Sequence, residues 1–124
     1  MAARYPLEGV TVVDLGQIYN GPYCGLTLGF MGARVIKIEP PEGDVLRTRP
    51  PMRDGHSTSF GQLNVGKRSV VLDLKSPEAM AAIRTLIRQA DVLVENFRPG
   101  VMERLGLDYA SLAADNPRLI YCAI

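Results

Sequence analysis

Val10-Thr11-Val12-Val13-Asp14-Leu15 is followed by Gly16 to Gly21, then by Pro22 to Met31, and then by Arg34-Val35-Ile36-Lys37-Ile38-Glu39. The first run is apolar and rich in β-branched residues, as a buried strand requires. Gly16 and Gly21 bracket a turn. Pro22 suits the first turn of a helix, where its missing N–H and fixed φ cost nothing, and Gly32 suits the end of one. The last run is a second strand, stopped by Pro40-Pro41. Strand, helix and strand in this order form the crossover unit that sets two strands parallel.

The same alternation continues downstream. Ser69-Val70-Val71-Leu72-Asp73-Leu74 reads as a third strand. Ser76-Pro77-Glu78 opens the clearest helix: Ser as N-cap, Pro at the first helical position and Glu at the positive end of the dipole. Met80, Ile83, Ile87 and Ala90 then share one face. Asp91-Val92-Leu93-Val94-Glu95 is a fourth strand. Short helices are expected over Val101 to Leu105 and Tyr109 to Ala114, and Leu119 to Ile124 begins a fifth strand. Strands alternating with helices at this spacing specify an α/β domain with a doubly wound, mostly parallel sheet over residues 1–124. Residues 40 to 67 show no periodicity and read as a long ordered loop. Loops of that length are usually functional, and both a solvated loop and a flap over a ligand are open to it.

Composition narrows the function classes. The chain has 124 residues, with 14 Lys+Arg against 13 Asp+Glu, a balance that does not fit a protein built to neutralise nucleic-acid phosphates. Met1 to Val10 holds no apolar run like that of a signal peptide, and no stretch approaches the ~20 apolar residues that span a bilayer. A cytoplasmic domain is expected. Cys24 and Cys122 lie far apart without metal-type spacing, and separate buried thiols are preferred over a disulfide. His56 has no ligand partner at metal spacing, so no metal is expected. No Walker loop or Gly-x-Ser-x-Gly elbow occurs. Asp14, Asp73 and Asp91 sit in or beside strands, where structural roles suffice.

Open parallel sheets bind ligands beyond the carboxyl ends of their strands. The first exit offers Gly16, Gln17, Ile18, Tyr19, Asn20 and Gly21, the second Glu39, the third Lys75, and the fourth Asn96, Phe97 and Arg98. A dinucleotide with Glu39 on its ribose is the obvious guess, but the glycines do not make Gly-x-Gly-x-x-Gly. The fourth exit suits a nucleotide: Asn96 could bond a base edge and Phe97 stack on a purine. Arg98, Arg104 and Lys75 are candidate phosphate partners, against duller core and surface roles for each.

Several segments in order resemble the class III (CaiB/BaiF-type) CoA-transferases. They are Pro6-Leu7-Glu8-Gly9-Val10 with Val12 to Leu15, and Gly21-Pro22-Tyr23 with Met31 to Pro41, Gly43-Asp44 and Arg47. Asn64 with Gly66 to Ser69, Leu72 to Lys75, Asp91 to Gly100, Leu105-Gly106-Leu107 and Asn116 to Ile120 follow. The resemblance implies a Rossmann-like, CoA-binding domain, the N-terminal part of a larger fold that moves CoA between carboxylic acids through an acyl-CoA thioester. It implies that Ile18, Tyr19, Leu72, Lys75, Asn96, Phe97 and Arg104 lie along coenzyme A, with Gln17 and Asn20 facing the acyl group. It further implies an aspartate nucleophile after the strand that begins at Leu119, so no catalytic residue is assigned within residues 1–124 and CoA binding without transfer is expected of them alone. A 2-methylacyl-CoA racemase branch and a non-catalytic nucleotide-binding module are the alternatives. Acyl-CoA and a carboxylic acid are the expected partners. The uncharged Leu119 to Ile124 edge leads to an expectation of self-association or of a completing chain.

Overall fold

The computed structural model describes residues 4–124; Met1 to Ala3, part of the stretch weighed as a leader, lie outside the described residues. The strands are β1 (Thr11–Asp14), β2 (Arg34–Glu39), β3 (Met52–Arg53), β4 (His56–Ser57), β5 (Arg68–Val71), β6 (Val92–Glu95) and β7 (Ile120–Ala123). The helices are α1 (Asn20–Phe30), α2 (Thr58–Asn64), α3 (Pro77–Arg88), α4 (Val101–Leu105) and α5 (Tyr109–Ala113). Five strands form one sheet in the order β5-β2-β1-β6-β7, every neighbouring pair parallel. Strand order reverses between β1 and β6, and that is where an open sheet offers a crevice.

Register explains which side chains go where. Val12, Val35 and Val94 fall on one face and form a small buried cluster against which Cys24 and Leu28 of α1 pack. Val13, Leu15, Ile38 and Leu93 fall on the other face and join Ile83 and Ile87 of α3 with Met102, Leu107 and Leu112 in the larger core. Helices on both faces satisfy strands that are apolar on both sides. The Ser76 hydroxyl accepts the Ala79 amide and caps α3 as its sequence specifies. At the other end of α3, the buried Asn116 carboxamide donates to the Ile87 and Ala90 carbonyls, closing the loop before β7.

Residues 40–67 are not one irregular loop. They hold a 3-10 turn (Val45–Thr48), the β3–β4 hairpin and α2. The helix was invisible to periodicity because no residue of α2 is buried and Gly61 interrupts its centre. Its start is local: the Ser57 hydroxyl accepts the Phe60 amide at the N-cap. The third strand is also shorter than the sequence suggests, ending at Val71, since Leu72 to Lys75 turn away toward α3.

Candidate functional site

The β1 exit loop, Leu15 to Tyr19, is pinned from four directions. Asp14 Oδ1 accepts the Gly16 amide at 2.8 Å, and Lys37 Nζ donates to the Gly16 carbonyl at 2.8 Å. The Asn96 carboxamide takes both backbone groups of Gln17, accepting its amide and donating to its carbonyl at 2.8 Å each. Asp44 Oδ2 accepts the Ile18 amide at 3.4 Å. Ile18 has φ 66°, a left-handed backbone that a β-branched residue adopts only under constraint, at a cost of about 1–3 kcal/mol. Those bonds supply the constraint.

Beneath the loop lies a buried ionic network that no sequence motif announced. Lys37 pairs with Asp44 at 3.0 Å and Lys67 with Asp14 at 2.8 Å, and all four side chains are almost wholly buried. Lys67 Nζ also donates to the Pro22 carbonyl and to Asn64 Oδ1. Burial pulls the Lys67 ammonium below its ordinary pKa, with Asp14 opposing the shift. Register assembles these groups: Asp14 and Lys37 are partners across β1 and β2, and Glu39 follows on the same face. A signal was present in the lysine at the centre of an otherwise apolar strand, since a buried charge demands a partner.

Glu39 completes the network and is closed to other duty. It accepts Arg47 Nε and Nη2 at 2.6 Å each, the Ser69 hydroxyl at 2.6 Å and the Asp44 amide at 2.9 Å. The Arg47 guanidinium is stacked 4.0 Å from the Phe60 ring centre, so the 40–67 segment is tied to the end of β2. This removes the dinucleotide reading on grounds separate from the glycines, because a ribose would find the Glu39 carboxylate already saturated. Burial pushes the Glu39 carboxyl up, but the bonds from Arg47, Ser69 and the Asp44 amide outweigh it and hold it at about 2, against an ordinary 4.5. A carboxyl depressed on folding contributes stability that is complete above about 4.5 and lost as pH falls toward 2. Glu39→Gln should therefore flatten the acid limb of a stability-versus-pH profile measured by urea unfolding. An acid limb of unchanged slope in that variant would refute the assignment.

A cleft of about 280 Å³ opens at the strand exits, lined by Leu15, Gln17, Ile38, Pro40 to Glu42, Leu72 to Lys75, Phe97 and Leu105 among others. Of the residues singled out from sequence, Gln17, Leu72, Lys75 and Phe97 meet there. Ile18 and Tyr19 stand exposed on the adjoining loop, and Asn20 is exposed at the first position of α1. Asn96 lies beneath that loop, with one donor and one acceptor position taken by the Gln17 backbone. Arg104 is exposed on α4, one residue from the cleft-lining Leu105, and Arg98 is exposed before α4. The leucines with Ile38 and Phe97 give an apolar floor, and Lys75 is the one cation among its lining residues. The apolar floor suits a flat ring, while Glu39, Glu42 and Asp73 line the same cleft and leave Lys75 as its one lining partner for an anion. Only Pro40 to Glu42 of the 40–67 segment border it; α2 instead lies against α1. His56 is exposed, and no cluster of metal-ligating side chains occurs among the described residues.

The family model for CoA-transferase family III matches residues 7–124. The chain belongs to that family. Among similar proteins, acetyl-CoA:oxalate CoA-transferase of Acetobacter aceti is 50% identical over 119 residues, covering 95% of this chain and 31% of that one. Succinate–glutarate CoA-transferase of Agrobacterium fabrum is 46% identical over 127 residues, covering 96% of this chain and 32% of that one. A CAIB/BAIF family protein from Brucella suis superposes with a TM-score of 0.91 at 45% identity, over 96% of this chain and 33% of its own. The chain thus spans about a third of the length of the family III CoA-transferases it matches. No helix among the described residues is long and apolar enough to cross a membrane.

Proposed function

We propose that residues 4–124 form the coenzyme A-binding part of a cytoplasmic enzyme that transfers CoA between carboxylic acids. The observation that carries this reading is the cleft at the exits of β5, β2, β1 and β6, with an apolar floor, Phe97 in its wall and Lys75 among its lining residues. Leu72, Leu74 and Phe97 would hold the adenine, Lys75 with Arg104 the phosphates, and the exposed Ile18 and Tyr19 the pantetheine arm. Gln17 of the same loop and Asn20 at the start of α1 would face the acyl group. Asn96 acts one step removed, holding Gln17 in place. None of the aspartates in residues 4–124 stands where the family resemblance sets its nucleophile, so these residues alone should bind CoA and transfer none.

Calorimetric titration tests this. CoA should bind and NAD should not, and Lys75→Ala should weaken CoA roughly tenfold by removing one charge-assisted phosphate contact. Equal binding of NAD, or an unchanged CoA affinity in Lys75→Ala, would overturn the site. A completing polypeptide or a second copy is expected along β7, where Ile120 and the adjoining Ile124 are exposed at the edge of the sheet.

A further inference from the structure

The two cysteines, read from sequence as separate buried thiols, are brought to one place. Val94 and Cys122 are register partners across β6 and β7, so Cys122 points to the α1 side of the sheet. Cys24, on the second turn of α1, packs on the same Val12, Val35 and Val94 cluster as Cys122. The helix can approach so closely because its glycines press on the strands. A Cβ on Gly25 would fall 2.6 Å from Asp14 Oδ2, and one on Gly21 would fall 3.1 Å from the Asn96 side chain. α1 lies low across β1 and β6, and Cys24 and Cys122 both border the valine cluster beneath it. Burial raises the Cys24 thiol, and the Cys122 thiol beside it raises it further. Both residues remain partly exposed, within reach of a small oxidant.

We propose that Cys24 and Cys122 are a reversible dithiol pair, oxidised by a small disulfide to an intramolecular bridge that fastens edge strand β7 to α1. With oxidised glutathione as the oxidant, one cysteine thiolate attacks a glutathione sulfur, forming a mixed disulfide and expelling one glutathione thiolate. The second cysteine thiolate then attacks the protein sulfur of that mixed disulfide and expels the other glutathione. Two protein thiols are oxidised, one glutathione disulfide is reduced to two thiols, and the two protons released go to the departing glutathiones. The bridge spans most of the chain and ties β7 to α1, so oxidation limits how freely that strand and helix can separate. This inference does not depend on what the cleft binds.

The test treats the reduced protein with oxidised glutathione and reads intact mass, a non-reducing peptide map and thermal unfolding. The expected product is a monomer lighter by two hydrogens, with Cys24 linked to Cys122. Its melting temperature should rise on the order of 10 °C, because the unfolded chain loses loop entropy, and dithiothreitol should reverse the rise. Cys24→Ser and Cys122→Ser should each stop at a single glutathione adduct without that rise. Two separate glutathione adducts in the unsubstituted protein, no reaction, or a disulfide-linked dimer would each overturn the proposal.

Discussion

Lys37→Met is expected to destabilise the domain by about 3–5 kcal/mol, the range for removing one partner of a buried ion pair. Its ammonium is 1% exposed, pairs with Asp44 at 3.0 Å and donates to the Gly16 carbonyl. Methionine fills the same volume and offers no charge, so Asp44 would be left as an anion without its cation in a site closed to water. A domain of this size has only about 5–15 kcal/mol in total, so the loss would consume a large share of it. The charge mismatch is separable from packing. Asp44→Asn in the Lys37→Met background removes the stranded charge while still accepting the Leu46 amide, so the double variant should recover part of the loss. Urea unfolding of the four proteins in the cycle measures it. A single-variant loss under about 1 kcal/mol would show that the pair is solvated and does not brace the loop.

Gly16→Ala should be nearly as damaging, for a steric reason. A Cβ there would lie 2.6 Å from the carbonyl carbon and the Cα of Gly21, both backbone atoms at the start of α1. The reverse substitution, Gly21→Ala, meets Gly16 Cα at 2.5 Å. Neither neighbour is a flexible side chain that can swing aside, so the exit loop and the helix start must separate. Separation pulls on the Asn96–Gln17 pair and on the Asp14–Gly16 bond. A loss of about 3 kcal/mol is expected for each variant, at the upper end of overpacking effects. Gly61→Ala in α2 is the control: a Cβ there meets nothing within 4 Å, and helix propensity should make it neutral or stabilising by up to about 1 kcal/mol. Equal unfolding midpoints for Gly16→Ala and Gly61→Ala would refute the close-approach account.

These two sites mark the boundary of what the sequence shows. Alternating apolar runs, the Ser76-Pro77-Glu78 start and the glycine breaks carry the period and punctuation of local structure, so the parallel α/β order and most element ends were legible. The strand-exit rule then placed Gln17, Lys75 and Phe97 at one end of the sheet, and Leu72 followed from the family resemblance. The structure groups all four around the cleft. Asn96 is placed at the expected exit, where its carboxamide also holds the backbone of Gln17. Residues 40–67 were read as irregular because α2 is an exposed helix, and exposed helices carry no apolar stripe to detect.

By itself the sequence determined the fold class, the order of the strands and helices outside residues 40–67, and the family. Each of these follows from short-range pattern, or from many short patterns in order. Tertiary structure alone decided that Asp14, Lys37, Asp44 and Lys67 are one buried network, that Glu39 is saturated by Arg47 and Ser69, and that Cys24 and Cys122 pack on the same valine cluster. The physical reason is the same in each case. Partners distant in the chain become neighbours only through strand register and the close seat of α1 on the sheet. A charge or a thiol carries no local mark of the group it will meet.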